Sequence, residues 1–139
     1  MSDWMDRYLD ALNSHDGTQV AEMMAEDVTF EDVAMGVTHQ GRAAVKAFIA
    51  ELDGFSSDAN FSPISKQQTG NQYAIEWESS GTNTGDMAGI PATNRQYRVR
   101  GVSIGELDEH GKILRNRDYW NMADYLMQLG IFGVAPEGT

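Results

Sequence analysis

Apolar positions run through this chain in two rhythms. At the start, Trp4, Tyr8, Ala11 and Leu12 recur at helical spacing behind Ser2 as a candidate cap, which predicts an amphipathic helix over residues 3–14. Asn13-Ser14-His15-Asp16-Gly17 is turn chemistry, and Val20, Met23 and Met24 predict a short second helix before Glu26-Asp27. The stretch Val28 to Val33 alternates β-branched and aromatic residues with polar ones and reads as a strand. A loop containing Gly36 then leads to a helix from about Arg42 to Leu52, with Val45, Phe48, Ile49 and Leu52 along one side.

From Phe61 onward the period drops to two. Runs near 61–69, 72–83, 94–107 and 112–121 are separated by hairpin-like breaks at Gly70-Asn71 and Glu109-His110-Gly111 and by a longer loop from Gly85 to Ala92. A last short helix through Tyr125, Leu126 and Leu129 stops at Gly130. Helices first and a meandering sheet afterwards predict an α+β fold, a curved antiparallel sheet whose concave face the helices cover. Such a cone encloses a central cavity of the kind small ligands occupy.

Composition narrows this picture. At 139 residues, with no repeats or linkers, residues 1–139 are expected to form one domain. Cysteine is absent, so thiol chemistry and Cys-based metal sites are excluded. The N-terminal stretch is acidic and amphipathic, unlike a secretory leader, and no run approaches the ~20 apolar residues of a membrane span. The expected location is the cytoplasm. A formal charge of −11 repels phosphate backbones and anionic lipid, which argues against nucleic acid as a partner. The bases gather late, at Arg95, Arg98, Arg100, Lys112, Arg115 and Arg117.

One carboxylate stands out. Along the last strand Leu114, Asn116, Asp118 and Trp120 share one face, and Ile113, Arg115, Arg117 and Tyr119 the other. If the arginines face outward, Asp118 and Trp120 point into the cavity, where desolvation raises a carboxyl's pKa towards that of a useful proton carrier. The ordinary alternative is a structural carboxylate paired with Arg115, Arg117 or a backbone amide.

Taken together, Gly81, Gly85, Gly89, Pro91, Thr93 and Arg95, then Gly111-Lys112-Ile113, Arg117-Asp118 and Gln128-Leu129-Gly130, resemble the signature of the SnoaL-like polyketide cyclases, and the similarity runs from about residue 3 to residue 131. That resemblance implies the cone-shaped fold of the nuclear-transport-factor-two-like superfamily. It implies intramolecular aldol closure of an aromatic polyketide ring without metal or organic cofactor, with Asp118 as acid/base. The same cyclases place a supporting histidine on the preceding strand, and the aligned position here is Ile104.

Further candidates follow from strand phase. Asp32 alternates with Val28 and Phe30 onto the core face; it suits a cap of the following loop, or a second acid sharing the cavity as in an epoxide-hydrolase-like or ketosteroid-isomerase-like pair. Trp77 and Asn83 share a face with Tyr73, Ile75, Ser79 and Gly81, so the indole can wall a ligand and the amide can hold its oxygen. Phe30, Phe48 and Trp120 are further wall candidates. His15, His39 and His110 fall in turns or loops, read as surface residues with no metal-binding spacing. No phosphate cradle, nucleophile elbow or dinucleotide fingerprint is present.

Two functions are therefore expected to compete. One is a cofactor-independent cyclase, isomerase or hydrolase acting on a hydrophobic oxygenated polycyclic or polyketide-like compound; the other is a non-catalytic small-molecule carrier or assembly module using the same cavity or the outer sheet face. Arg115, Arg117 and Tyr119 on the outer face suggest a homodimer or tetramer.

Overall fold

The computed structural model describes residues 3–86 and 89–131, so Ser2 lies outside the described residues, as do residues 87–88 of the loop after Gly85. The first helix, α1 (Trp4–Ser14), is capped by Asp3, whose carboxylate accepts the backbone N–H of Asp6. Its apolar stripe buries Met5, Tyr8, Leu9 and Ala11.

The second helix is shorter than its hydrophobic pattern predicts. α2 (Gly17–Ala21) ends before the two methionines, and Met24 opens β1 (Met24–Asp32) instead. Pairing with the distant last strand overrides local periodicity here, since the carbonyl of Met23 accepts the N–H of Ile113 at 3.0 Å. The loop around Gly36 also holds a strand that the pattern missed. β2 (Val37–Gln40) pairs antiparallel with β1, and its largely exposed residues carry no alternation to betray it.

After α3 (Arg42–Phe55) come β3 (Asn60–Thr69), β4 (Gln72–Thr82), β5 (Gln96–Leu107) and β6 (Ile113–Trp120), then α4 (Met122–Leu129). Gly130, at φ 75°, closes α4 in the left-handed conformation that glycine adopts without a Cβ clash. The strands form one curved sheet in the order β2-β1-β6-β5-β4-β3.

From β3 through β4 and β5 to β6 the strands pair antiparallel, as expected. β1 runs parallel to β6, with Phe30 opposite Asn116 and Asp32 opposite Asp118, so the sheet is mixed. This parallel junction sets Asp32 beside Asp118.

Side-chain phase on β6 also departs from simple alternation. A register shift between Leu107/Ile113 and Glu106/Arg115 makes Leu114 an extra residue, and Ile113 becomes fully buried while Asn116 stays inward. Arg115 and Tyr119 remain exposed on the outer face.

Helices α1, α2 and α3 cover the concave face, burying Tyr8, Val20, Val45 and Ile49 against Phe30, Ile75 and Ile113. A second cluster, Phe55, Tyr97, Val99, Tyr125 and Leu129, joins α4 to β5 and to the end of α3. The cavity lies between them.

Candidate functional site

Bulky and minimal residues are paired across the sheet, so that large rings lie over glycines. Tyr73 and Trp77 on β4 stand opposite Gly105 and Gly101 on β5. A Cβ at Gly101 would run into the Trp77 ring, and one at Gly105 into the backbone of Arg115 and the Tyr73 hydroxyl. Ser103 lies between the two glycines and is paired with Asp118 on β6.

The cavity measures about 180 Å³. Phe30, Phe48, Phe61, Trp77, Trp120 and Tyr125 give it an aromatic wall, and Asp32, Ser103 and Asp118 are among its polar groups. Trp77 is a wall and a core residue at once, its ring edge-on to Phe61 at 5.2 Å. Phe48 stacks on His39 at 4.4 Å.

Two hydrogen-bonded chains converge on Asp118. The Trp77 indole N–H donates to Ser103 Oγ at 2.9 Å, and Ser103 donates to Asp118 Oδ1 at 2.6 Å. From the other side the Tyr73 hydroxyl donates to Asn116 Oδ1 at 2.6 Å, and Asn116 Nδ2 donates to the same Asp118 Oδ1 at 2.9 Å. No ion pair reaches this carboxyl among the described residues, because strand alternation keeps Arg115 on the outer face, where it pairs with Glu106.

Desolvation is therefore the leading effect on Asp118. The side chain is partly covered and faces the cavity that it lines. Burial pushes its pKa up to about 6; the bonds from Ser103 and Asn116 pull against that rise, and the nearby Asp32 adds to it.

Asp32 meets Asp118 at the cavity while also serving its loop. Its Oδ1 accepts the Met35 backbone N–H at 3.1 Å and the Trp120 indole N–H at 2.9 Å. Burial raises its pKa, partly offset by those two bonds and by His39. The capping and cavity roles considered separately from sequence thus belong to one side chain.

Asn83 is placed elsewhere. It is fully buried, its Nδ2 donates to the Gly85 carbonyl at 2.8 Å, and its Oδ1 accepts from the Thr93 N–H and hydroxyl at 2.9 and 2.8 Å. This amide pins the β4–β5 loop and does not line the cavity, so its expected contact with substrate is corrected.

The supporting group opposite Asp118 also differs from expectation. Ile104 pairs with Arg117, and Ser103 faces Asp118. A one-residue step along a strand reverses the side chain, which places Ile104 on the opposite side.

Two histidines read as surface residues line the cavity instead. His39 sits on β2; burial lowers its pKa, with Glu51 and Asp32 opposing the fall. His15 bridges Asp53 at 2.8 Å and the Ala59 carbonyl at 2.7 Å. Burial depresses its pKa, but the bonds to Asp53 and Ala59 outweigh that effect and the net shift is upward. Among the described residues, no group of three His, Asp or Glu side chains is placed to hold a metal ion.

The model of the SnoaL-like domain matches residues 5–116. The chain belongs to that family. The match reaches Asn116 and stops two residues short of Asp118, so the carboxyl is identified by its surroundings. A curated relative of this SnoaL-like protein, the steroid Delta-isomerase of Nocardioides simplex, is 26% identical over 121 residues, covering 87% of this chain and 89% of the relative.

Solved structures share the fold. A hypothetical protein of ketosteroid isomerase-like fold from Catenulispora acidiphila, in complex with trimethylamine, superposes with a TM-score of 0.83 at 18% identity, over 94% of this chain and 95% of the other. A candidate polyketide cyclase from Pseudomonas putida gives 0.80 at 24% identity, over 89% and 93%.

Proposed function

We propose that this SnoaL-like protein catalyses cofactor-independent proton transfer on a hydrophobic, carbonyl-bearing ring compound, as a cyclase or an isomerase. The observation that carries this reading is the pair Asp118 and Asp32, side by side in the parallel β1–β6 register at an apolar cavity, with Asp118 raised to about 6. A carboxyl poised there can both remove and return a proton near neutral pH.

In the proposed cycle, Asp118 as carboxylate takes a proton from the carbon next to the substrate carbonyl. The C–H electron pair becomes the new C=C bond, and the carbonyl π pair moves onto oxygen. Asp32, when protonated, donates a hydrogen bond to that developing oxyanion. Two neighbouring carboxyls favour one proton between them, since both ionising together is disfavoured. Isomerisation follows if Asp118 returns its proton to another carbon of the dienolate. Aldol closure, a lyase-type reaction run towards bond formation, follows if the enolate carbon attacks a second carbonyl and Asp118 protonates the new alkoxide.

Cavity size bears on the substrate. A cavity of about 150 Å³ holds benzene, so about 180 Å³ admits the reacting ring while the rest of a polycycle extends through the mouth. Four carboxylates line the space, Asp32, Glu51, Asp53 and Asp118, without a Lys or Arg among the described residues. An anionic ligand is disfavoured there, and a neutral oxygenated one is accepted.

A β,γ-unsaturated 3-ketosteroid is the first probe, followed by its ultraviolet change on conjugation to the α,β-enone. Conversion by the wild type, its loss in Asp118→Asn and its reduction in Asp32→Leu, which has no donor for the oxyanion, supports the reading; equal conversion by Asp118→Asn overturns it. Ligand carriage without turnover is the second reading, favoured by the trimethylamine held by the Catenulispora acidiphila relative. It predicts binding that survives Asp118→Asn and no product. We place the protein in the cytoplasm as a homodimer or tetramer, with the exposed Tyr119 on the outer face as a contact, and a monomeric mass by sedimentation overturns that assembly.

A further inference from the structure

Both hydrogen-bonded chains at Asp118 end on one oxygen. Oδ1 accepts from Ser103 and from Asn116, while Oδ2 receives no donor among the described residues. The direction of each chain is set at its far end. An indole N–H can only donate, so Ser103 Oγ accepts from Trp77 and keeps its own proton for Asp118. The Tyr73 hydroxyl lies 2.6 Å from Asn116 Oδ1 but 3.5 Å from the Arg115 carbonyl, so it donates to the amide oxygen and leaves the amide N–H to point at Asp118.

We propose that Ser103 and Asn116 are positioning residues that confine the proton of Asp118 to Oδ2, making Oδ2 the atom that exchanges protons with a ligand. In the ionised form Oδ1 accepts both bonds; in the acid it remains the carbonyl oxygen and accepts both still. Nothing in the two chains turns round when the proton arrives or leaves. A proton on Oδ1 would have to displace one donor, and the Asn116 amide could reverse only if the Tyr73 hydroxyl turned to donate to the Arg115 carbonyl, at 3.5 Å in place of 2.6 Å. The cavity side of Asp118 therefore changes charge against a fixed polar backing, the arrangement in which reorganisation is least. Its bearing on catalysis rests on the proton-transfer reading above, whereas the position of the proton does not.

The titratable groups around Asp118 are Asp32 from β1, Tyr8 from α1 and Tyr73 from β4, with His39 of β2 acting through Asp32. The phenols stay neutral over the range concerned, since burial raises both of their pKa values. Asp32 and His39 are common to every variant compared.

The test is the carboxyl-carbon NMR titration of Asp118 in the wild type, Ser103→Ala, Ser103→Thr and Trp77→Phe, with the signal assigned through Asp118→Asn. A donor to Oδ1 stabilises the anion more than the acid, so Ser103→Ala should raise the midpoint by about one pH unit. Ser103→Thr should restore it, and Trp77→Phe, which lets Ser103 turn its proton elsewhere, should raise it by less. An unchanged midpoint in Ser103→Ala overturns the proposal. So does a lowered one, because a fall would mean that Ser103 accepts the proton of the acid and that this proton sits on Oδ1. The sign is read without substrate, so it stands or falls separately from turnover.

Discussion

Replacing Asp118 by asparagine should make the protein more stable at neutral pH. The asparagine amide nitrogen takes the place of Oδ2, which has no donor to clash with, and the amide oxygen takes the place of Oδ1 and keeps both bonds from Ser103 and Asn116. The substitution thus mimics the protonated acid and removes the cost of ionising a buried group. The folded-state pKa of about 6 lies above the ordinary aspartate value of 3.8. Below 3.8 both folded and unfolded wild type hold the proton, and the variant gains nothing there. Between 3.8 and about 6 the unfolded chain has released its proton while the folded one retains it, so wild-type stability falls as pH rises. Above that window the loss is complete, and a displacement of about two units corresponds to about 3 kcal/mol. Urea denaturation of both proteins at intervals from pH 4 to pH 8 measures the gap. It should be near zero at the acid end, open through the window and level off above it. A variant no more stable than the wild type at pH 8 would refute the desolvated-carboxyl argument, whatever its activity.

On a substrate that reports proton transfer, Asp118→Asn should lower kcat by about 10²–10⁴-fold, and the acid limb of the wild-type rate profile should fall near pH 6; a limb near pH 4 would assign the base elsewhere. His15→Gln removes a histidine whose folded pKa is raised, so the wild-type advantage should be full below about 6.5 and shrink as pH rises through the folded value. Thermal melts of the two proteins at pH 5.5 and pH 8 check this, and a gap that widens towards alkaline pH contradicts it. Gly101→Ala drives a methyl into the Trp77 ring and should cost about 1–3 kcal/mol as overpacking does. The displaced indole should also change tryptophan fluorescence, and an unchanged melt with unchanged emission would mean that the ring has room to give.

What the chain revealed beforehand follows from how far each interaction reaches. Helices α1, α3 and α4 and strands β3 to β6 carry their own periodicity and punctuation, and their limits were legible to within a few residues. Asp118 was legible as well, in phase with Asn116 and Trp120. β2 was not, because an exposed edge strand has no buried face to impress an alternation on its residues, and with it went the cavity position of His39. The partner of Asp118 depended on the β5–β6 register, which is a property of two strands together; Ser103 in place of Ile104 is a one-residue difference that no single-strand pattern contains. Asn83 was misjudged for a related reason. Its inward phase was right, but burial took the amide into the turn of its own loop, bonded to Gly85 and Thr93, before it could reach a ligand.

The acidity of Asp118 also explains why the site is built from neutral donors. A buried carboxylate is most simply satisfied by an arginine, and two lie on the same strand, at 115 and 117. An opposite charge within reach would hold the pKa below its ordinary value and leave a weak base with no proton to return near pH 7. Alternation along β6 turns Arg115 to the outer face, where Glu106 takes it at 2.7 Å. Inside, serine and asparagine satisfy one oxygen without neutralising the group, and tryptophan and tyrosine hold those two residues in turn. Desolvation and Asp32 then act against only two neutral hydrogen bonds, and the balance falls near 6. In the proposed reaction the same alternation that fills the core would set the proton chemistry, and introducing a cation into the inner row, as in Ser103→Lys, should pull the pKa of Asp118 down and end conversion of the probe at neutral pH even if the ligand still binds.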